Sequence, residues 1–282
     1  MKRILLPTDF SENAYNAIRY AMHLFKGDSA TFYLLNTFTP ASYSADFLIE
    51  NPTLYGLEKV AMMNSKKNIA KIEESVITEF NNPKHQFERL SIFGMLTSEI
   101  KEIIKRENID LIVMGTKGAT GAKEFFLGSN TQDVIRSVDN CPVLAVPEES
   151  SFGEVSDIAF ATDFERVYFK SEIVPIVNLA KSQDATVRMI HVYDDPKLSH
   201  VQRFNSNALE QYFKEINYEF HVISDFSTIE KAIQACVEEL EIDMLMMIKY
   251  KHSFIERLTR EPVIKKMTFH TTIPFLVIPA DN

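Results

Sequence analysis

The sequence has no tryptophan, only two cysteines and only eight glycines among its 282 residues. Two cysteines, Cys141 and Cys236, give no disulfide framework, and such low cysteine use suits a reducing compartment. No apolar run is long enough to cross a bilayer. The apolar stretch after the charged start is interrupted by Pro7 and Asp9, too early for a signal peptide. These shortages predict a cytoplasmic protein with no membrane partner.

The sequence also lacks clusters of lysine and arginine. The net charge is −9, with −1 in residues 1–147 (16 basic, 17 acidic) and −8 in residues 148–282 (14 basic, 22 acidic). Because neither part has a basic cluster, nucleic acid is not expected as a partner. The 45% hydrophobic and 24% charged content is that of an ordinary soluble globular protein.

The second half of the chain repeats the first. Four segments return in the same order: 4–10 as 158–164, 30–36 as 185–191, 109–114 as 242–247, and 141–147 as 273–279. The first and strongest match keeps the triplet Thr-Asp-Phe in both copies. Four matches in one order indicate a duplication. The sequence therefore predicts two domains, residues 1–147 and 155–282, joined by the short polar linker 148–154.

Within the first copy, apolar runs alternate with helical patterns. Five runs are typical of buried parallel strands: 3–7, 31–37, 86–91, 110–115 and 142–146. Four stretches have helical character: 11–25, 53–80, 97–107 and 131–138. Ser11 and Thr97 are the expected caps of the first and third helices. This alternation predicts an α/β fold, in which each copy is a mostly parallel five-stranded sheet flanked by helices.

In such sheets, ligands bind beyond the carboxyl ends of the strands. This rule points to Asp9, to the segment 36–38 and to the loop after Met114, which are far apart in sequence but share one edge of the predicted sheet.

Half of the glycines fall within one loop. It reads Gly115-Thr-Lys-Gly118-Ala-Thr-Gly121-Ala-Lys-Glu-Phe-Phe-Leu-Gly128-Ser129-Asn130-Thr131, follows a strand and opens a helix. Glycine lets backbone N–H groups approach an anion, and a helix start adds N–H donors and a positive dipole end. Ser129 and Thr131 can add hydroxyl donors. A glycine-rich connection without a ligand is the alternative, but the matching stretch of the second copy, 248–262, contains no glycine. Folding alone therefore does not require these glycines.

The spacing Gly-x2-Gly-x9-Gly-Ser, preceded by Ile-Val-Met, resembles the ATP-binding signature of the universal stress protein family. The opening Ile-Leu-Leu-Pro-Thr-Asp-Phe-Ser and the closing Cys-Pro-Val-Leu-Ala-Val-Pro of the first copy resemble the same family. The likeness is strong in the first copy and degenerate in the second. It implies two tandem Rossmann-like domains of the adenine nucleotide α-hydrolase-like type, of which only the first keeps the ATP-binding loop.

The resemblance also implies roles for individual residues. Asp9 would contact the ribose or adenine, and Thr37 would offer backbone groups to the adenine. Met114 and Gly115 would line the ribose side. The implied phosphate-binding residues are Gly118, Gly128, Ser129, Asn130 and Thr131. A Mg²⁺ ion bridging the phosphates is compatible with this set, although the sequence shows no dedicated carboxylate cluster.

Several candidates keep a second interpretation. Asp9 could instead cap the first helix, and Asp163 retains the same Thr-Asp-Phe context without the glycine loop, which favours a partly structural role. Lys117 and Lys123 could pair with phosphates, although loop lysines are commonly solvated. The histidines lack a metal-ligand spacing, so no metal site is predicted. Both cysteines fall at apolar positions and are predicted to be buried structural thiols.

Three functions remain open. The first is a nucleotide-dependent regulatory or stress-response protein that binds ATP in its first domain. The second is a slow ATPase or phosphotransferase, which is disfavoured because no Walker lysine, histidine or paired carboxylate lies near the loop, and no catalytic residue is predicted. The third is a scaffolding module whose second domain binds a different ligand. Terminal strands pair between domains in the family, so strands 142–146 and 274–278 are expected to pair within the chain, with a homodimer as a further arrangement.

Overall fold

The computed structural model describes residues 1–39, 53–116, 128–150, 152–192, 198–223, 229–250 and 273–281. The first half (residues 1–147) contains these elements in order: β1 (Lys2–Pro7), α1 (Glu12–Leu24), β2 (Ala30–Phe38), α2 (Thr53–Phe80), β3 (His85–Phe93), α3 (Leu96–Glu107), β4 (Leu111–Gly115), α4 (Ser129–Ser137) and β5 (Val143–Val146). The second half (residues 148–282) contains β6 (Asp157–Ala161), α5 (Lys170–Gln183), β7 (Thr186–Val192), α6 (His200–Phe213), β8 (Tyr218–Ile223), α7 (Ile229–Glu239), β9 (Met244–Lys249) and β10 (Phe275–Pro279).

The strands form one ten-stranded sheet in the order β3-β2-β1-β4-β5-β10-β9-β6-β7-β8. Neighbouring strands are parallel within each half, and the halves meet where β5 and β10 pair antiparallel. The predicted fold is therefore confirmed: two tandem Rossmann-like units, each with a parallel five-stranded sheet and helices. Strand β5 ends at Val146 and β6 begins at Asp157, while the domain limits 1–147 and 155–282 stay a prediction.

Apolar runs form strands here because both faces of the sheet are covered. In β1, Ile4 and Leu6 belong to one buried cluster and Leu5 belongs to another, as the alternation of side chains along a strand requires. All three side chains are fully buried. Among the residues that the structure describes, no helix has the length and apolar character needed to span a membrane.

The β5–β10 pairing, here called the seam, has the geometry of a pseudo-two-fold axis. Leu144 lies opposite Leu276, its own counterpart in the repeat, while Val143 lies opposite Val277 and Ala145 opposite Phe275. The linker is fixed beside the seam, because the Asn16 side-chain amide donates to the carbonyls of Pro147 and Glu148, both at 3.2 Å. The predicted pairing of the terminal strands within the chain is thus present.

Two helix starts differ from the sequence prediction. Ser11 caps α1 as expected, and its Oγ accepts from the Ala14 N–H at 3.2 Å. Thr97 does not cap α3, because that helix begins at Leu96 and Met95 occupies the cap position without a side-chain hydrogen bond. Helix α4 begins at Ser129, two residues earlier than predicted, with Gly128 as its N-cap.

Removal of residues 148–282 should turn the first half into a homodimer. Without β10, the buried apolar strand β5 becomes an exposed sheet edge, and such edges pair readily with another chain. The pseudo-symmetric register predicts that two copies of β5 pair antiparallel about Leu144. Light scattering after size exclusion should give twice the fragment mass. A folded, monomeric fragment would contradict this prediction.

Candidate functional site

A cleft of about 520 Å³ opens at the carboxyl ends of the first-half strands, beside the start of α4. Eight of the nine residues predicted for the site line this cleft: Asp9, Thr37, Met114, Gly115, Gly128, Ser129, Asn130 and Thr131. The ninth, Gly118, lies outside the described residues, as do Lys117 and Lys123. The topology thus brings together segments more than 100 residues apart. Contact of these residues with a nucleotide stays a prediction.

Asn36 lies in the segment 36–38 that the strand-end rule predicts, whereas sequence reasoning missed Gly94, Met95 and Leu96. Asn36 is buried at the end of β2, and its side-chain amide donates to the Thr8 carbonyl at 2.7 Å, which ties the ends of β1 and β2 together. Gly94, Met95 and Leu96 follow β3 and add an apolar wall. The strand-end rule could have found them, because β3 lies next to β2 and runs parallel to it.

The Thr-Asp-Phe triplet forms the same turn in both halves. The Thr8 Oγ1 accepts from the Phe10 N–H at 3.0 Å, and the Asp9 Oδ1 accepts from the Ser11 N–H at 3.0 Å. In the second half, Thr162 and Asp163 accept from the N–H groups two residues on, at 3.2 and 3.1 Å. Phe10 and Phe164 both adopt a left-handed backbone, with φ of 67° and 56°.

This shared turn explains why Asp163 persists where the glycine loop is lost. Asp9 is not itself the helix cap: its Oδ1 lies 2.6 Å from the Ser11 Oγ, and Ser11 is the cap. The exposed Asp9 carboxylate also lines the cleft. A structural role for Asp9 and a position suited to ligand contact therefore coexist.

Gly115 allows α1 to lie close against the end of β4. A Cβ atom at this position would lie 2.4 Å from the Asn13 Nδ2 and 2.8 Å from the Asn13 main-chain oxygen. The second half has Ile248 at the equivalent place. Its first helix, α5, begins eight residues after Thr162, whereas α1 begins four residues after Thr8. The missing side chain at Gly115 is thus a packing requirement of the first half, so the expectation that folding does not require the glycines of this loop is wrong for Gly115.

Helix α4 presents its N-terminus to the cleft. The N–H groups of its first turn have no acceptor within the helix, and Gly128 at the N-cap position contributes no side-chain hydrogen bond. Ser129 and Asn130 are exposed at this turn. The predicted hydroxyl contact of Thr131 with phosphate needs correction, because its buried Oγ1 donates to the Gly115 carbonyl at 2.7 Å. The Thr131 side chain anchors α4 to β4, which leaves the backbone N–H of Thr131 for an anion.

Comparison with known proteins identifies the family of this chain. The model of the universal stress protein family matches residues 1–147. The chain belongs to the universal stress protein family. The resemblance seen in the glycine loop and the opening strand is thereby confirmed.

Relatives of this universal stress protein cover one half or both. Universal stress protein MJ0577 of Methanocaldococcus jannaschii is 31% identical over 160 residues, which is 53% of this chain and 97% of that protein. Universal stress protein MJ0531 of the same organism is 30% identical over 152 residues, 51% of this chain and 81% of that protein. A crystal structure of a universal stress protein from Archaeoglobus fulgidus matches 98% of this chain and 97% of its own, with a TM-score of 0.66 and 21% identity. The last comparison shows that the two-unit fold recurs.

The second half of this universal stress protein covers its Thr-Asp turn with its own side chains. The Tyr250 hydroxyl donates to the Asp163 carboxylate, and the Tyr168 hydroxyl pairs with the Thr162 hydroxyl. The Arg166 guanidinium lies 5.2 Å from the centre of the Tyr250 ring. Burial and the hydrogen bond to Asp163 raise the pKa of Tyr250 above its usual range, so its hydroxyl stays a donor. The two halves therefore differ at the position where the first has its cleft.

Both cysteines are buried and free, as predicted. Burial raises the pKa of the Cys141 thiol to about 12 and that of Cys236 to about 11. These thiols are therefore protonated at neutral pH and act as small apolar side chains.

Proposed function

We propose that this universal stress protein binds ATP in the cleft of its first half and acts as a nucleotide-dependent regulatory protein. The supporting observation is that eight residues named from the family resemblance line one cleft next to an open helix start. A volume of about 520 Å³ lies within the usual range for small-molecule sites.

The phosphates of ATP would lie at the first turn of α4. The backbone N–H groups of Ser129, Asn130 and Thr131 are the donors, and the positive end of the helix dipole adds about 0.3–1 kcal/mol for an anion. Gly128 has no side chain to obstruct the approach. Gly118 completes this set in the proposal by analogy with the family signature.

The base and sugar would occupy the opposite part of the cleft. Thr37, at the end of β2, offers main-chain groups to the adenine, and Met114 and Gly115 line the ribose side. Asp9 would accept a hydrogen bond from a ribose hydroxyl, since a carboxylate has about four acceptor sites. The exposed Met95 adds an apolar surface for the base.

Mg²⁺ fits this cleft only if it binds together with the nucleotide phosphates. Asp9 is the one carboxylate among the described lining residues, whereas Mg²⁺ is commonly held by one or two carboxylates together with substrate phosphates and water. We infer that phosphate oxygens and water, rather than protein side chains, would provide most of the Mg²⁺ ligands. The same shortage of acids and bases among the described lining residues supports binding rather than turnover as the main role.

The cysteines and the charge distribution bear on cellular location and on binding partners. We infer a cytoplasmic location from the two buried, free thiols, which suit a reducing compartment. An adenine nucleotide is the expected small-molecule partner, and nucleic acid is not expected.

Calorimetric titration of the full chain with ATP should give one site per chain. AMP and ADP, each with and without Mg²⁺, should rank the contribution of each phosphate. At ATP a hundredfold above its dissociation constant, the free energy of unfolding should rise by about 2.7 kcal/mol. No binding above background, by protein shown to be folded, would defeat the proposal.

Gly128→Val should weaken ATP binding at least about tenfold, or about 1.4 kcal/mol. A branched side chain at the N-cap position would cover the first-turn N–H groups, and valine is also a poor N-cap. Gly27→Val is the matched control, because a Cβ at Gly27 meets no heavy atom within 4 Å. Equal ATP affinity in the two variants would exclude α4 as the phosphate site.

A further inference from the structure

A lysine of the second half is bound to the far end of helix α4. The Lys249 ammonium, at the end of β9, donates to the carbonyls of Ile135, Val138 and Arg136 at 2.8, 2.9 and 3.2 Å. It also lies 2.7 Å from the Asp139 carboxylate. The Lys249 side chain is only 12% exposed. The three N–H donors of the Lys249 ammonium are thus shared among three carbonyl oxygens and one carboxylate, in a largely buried position.

These contacts are suited to the end of a helix. The last carbonyls of a helix have no N–H partner within it, and they carry the negative end of the helix dipole, so a cation there is stabilising. Helix α4 has nine residues and a length of about 13 Å. Its other end is the turn that lines the cleft. One short, rigid element therefore connects Lys249 with the proposed phosphate site.

The apolar face of α4 is buried in a hydrophobic cluster that includes residues of both halves. Val134 and Ile135 belong to the buried cluster that also contains Met247, Phe275 and Val277 of the second half. Helix α4 thus has its C-terminus held by Lys249 of the second half and its N-terminus tied to β4 through Thr131.

The residue after Lys249 connects to the second half's own Thr-Asp turn. Tyr250 donates to Asp163, so the end of β9 contacts α4 through one residue and this turn through the next. The main chain at this point is held in the sheet, where the Ala280 N–H donates to the Lys249 carbonyl at 3.0 Å. The sheet thus fixes the main chain from which the Lys249 side chain extends to α4.

We propose that Lys249 is a positioning residue for the phosphate end of the cleft, through which the second half sets the affinity of the first half for ATP. This proposal rests on the proposed function. It assigns the degenerate half a role that needs no ligand of its own: it holds the phosphate helix in place.

The test is Lys249→Met in the full chain, titrated with ATP and separately with adenosine. Methionine keeps the apolar stem but removes the ammonium. The expected result is an ATP affinity about fivefold to tenfold weaker, in the usual range of coupling between sites, with adenosine affinity unchanged. Adenosine has no phosphate, so a change confined to ATP separates positioning of α4 from general loss of structure. Lys181→Met is the control, since Lys181 pairs with Glu215 on the exposed surface of the second half.

The outcomes separate the two proposals. Absence of ATP binding in the wild-type chain contradicts the proposed function. Wild-type ATP affinity in Lys249→Met, or an equal loss for ATP and adenosine, overturns the role of Lys249 while ATP binding stands. Should Lys249→Met fail to fold, Lys249→Gln, which keeps two N–H donors without the charge, replaces it. An unchanged ratio of ATP to adenosine affinity in that variant overturns the proposal.

Discussion

Glu172→Ala should lower the free energy of unfolding by about 3–5 kcal/mol, the usual cost of breaking a buried ion pair. The Glu172 carboxylate is 1% exposed and accepts from the Arg166 guanidinium. It also accepts from the N–H groups of Phe169 at 2.9 Å and Asp281 at 2.8 Å. Its removal leaves the Arg166 guanidinium, whose side chain is 17% exposed, and two main-chain donors without their acceptor. Urea denaturation followed by circular dichroism measures this loss.

The matched control for this change is Asp133→Ala. Asp133 also pairs with an arginine, Arg136, but about half of each side chain is exposed. Exposed pairs contribute about 0–1 kcal/mol, so this variant should unfold close to the wild type. If Glu172→Ala and Asp133→Ala had the same effect, the second half would not depend on its buried carboxylate.

Gly115→Ala should cost about 1–3 kcal/mol of stability, as overpacking of a tight contact does, and should weaken ATP binding about tenfold or more. The new Cβ would lie 2.8 Å from the main-chain oxygen of Asn13, which cannot swing away as a side chain can. The Gly115 carbonyl also accepts from the Thr131 hydroxyl, so a shift of β4 would displace the start of α4. Calorimetric titration with ATP and urea denaturation measure the two effects.

Gly27→Ala controls for the general effect of replacing glycine. No heavy atom lies within 4 Å of a Cβ built there, so its stability and ATP affinity should match the wild type. Wild-type behaviour of Gly115→Ala would instead show that α1 and β4 have room between them.

Much of this fold follows from local features of the sequence. The alternation of apolar runs and helical patterns predicted β1 to β5 within two residues at every boundary. The runs are clearest in β1, β2, β4 and β5, which the sheet buries, whereas β3 is polar and has no buried residue. The cap of α3 was predicted wrongly at Thr97. The helix instead begins after Met95, which has no cap-type oxygen, so no side-chain signal marks that start.

The parts that the sequence could not supply are contacts between distant segments. The need for glycine at position 115 comes from Asn13, which reaches it only in the folded chain. Lys249 looks like an ordinary strand-end lysine until the seam brings α4 to it. Glu172 looks like a solvated helix residue, yet it is buried beneath Arg166. For the same reason, the hydroxyl of Thr131 was assigned to a ligand rather than to Gly115.

A crystal structure of the full chain grown with ATP tests the central claim most directly. The account predicts one nucleotide per chain, with its triphosphate against the N–H groups of Ser129 to Thr131 and its base beside Thr37. It predicts that Tyr250 remains bonded to Asp163, with no nucleotide there. Electron density for ATP at the Asp163 turn, or a first-half cleft that stays empty at saturating ATP, would contradict it.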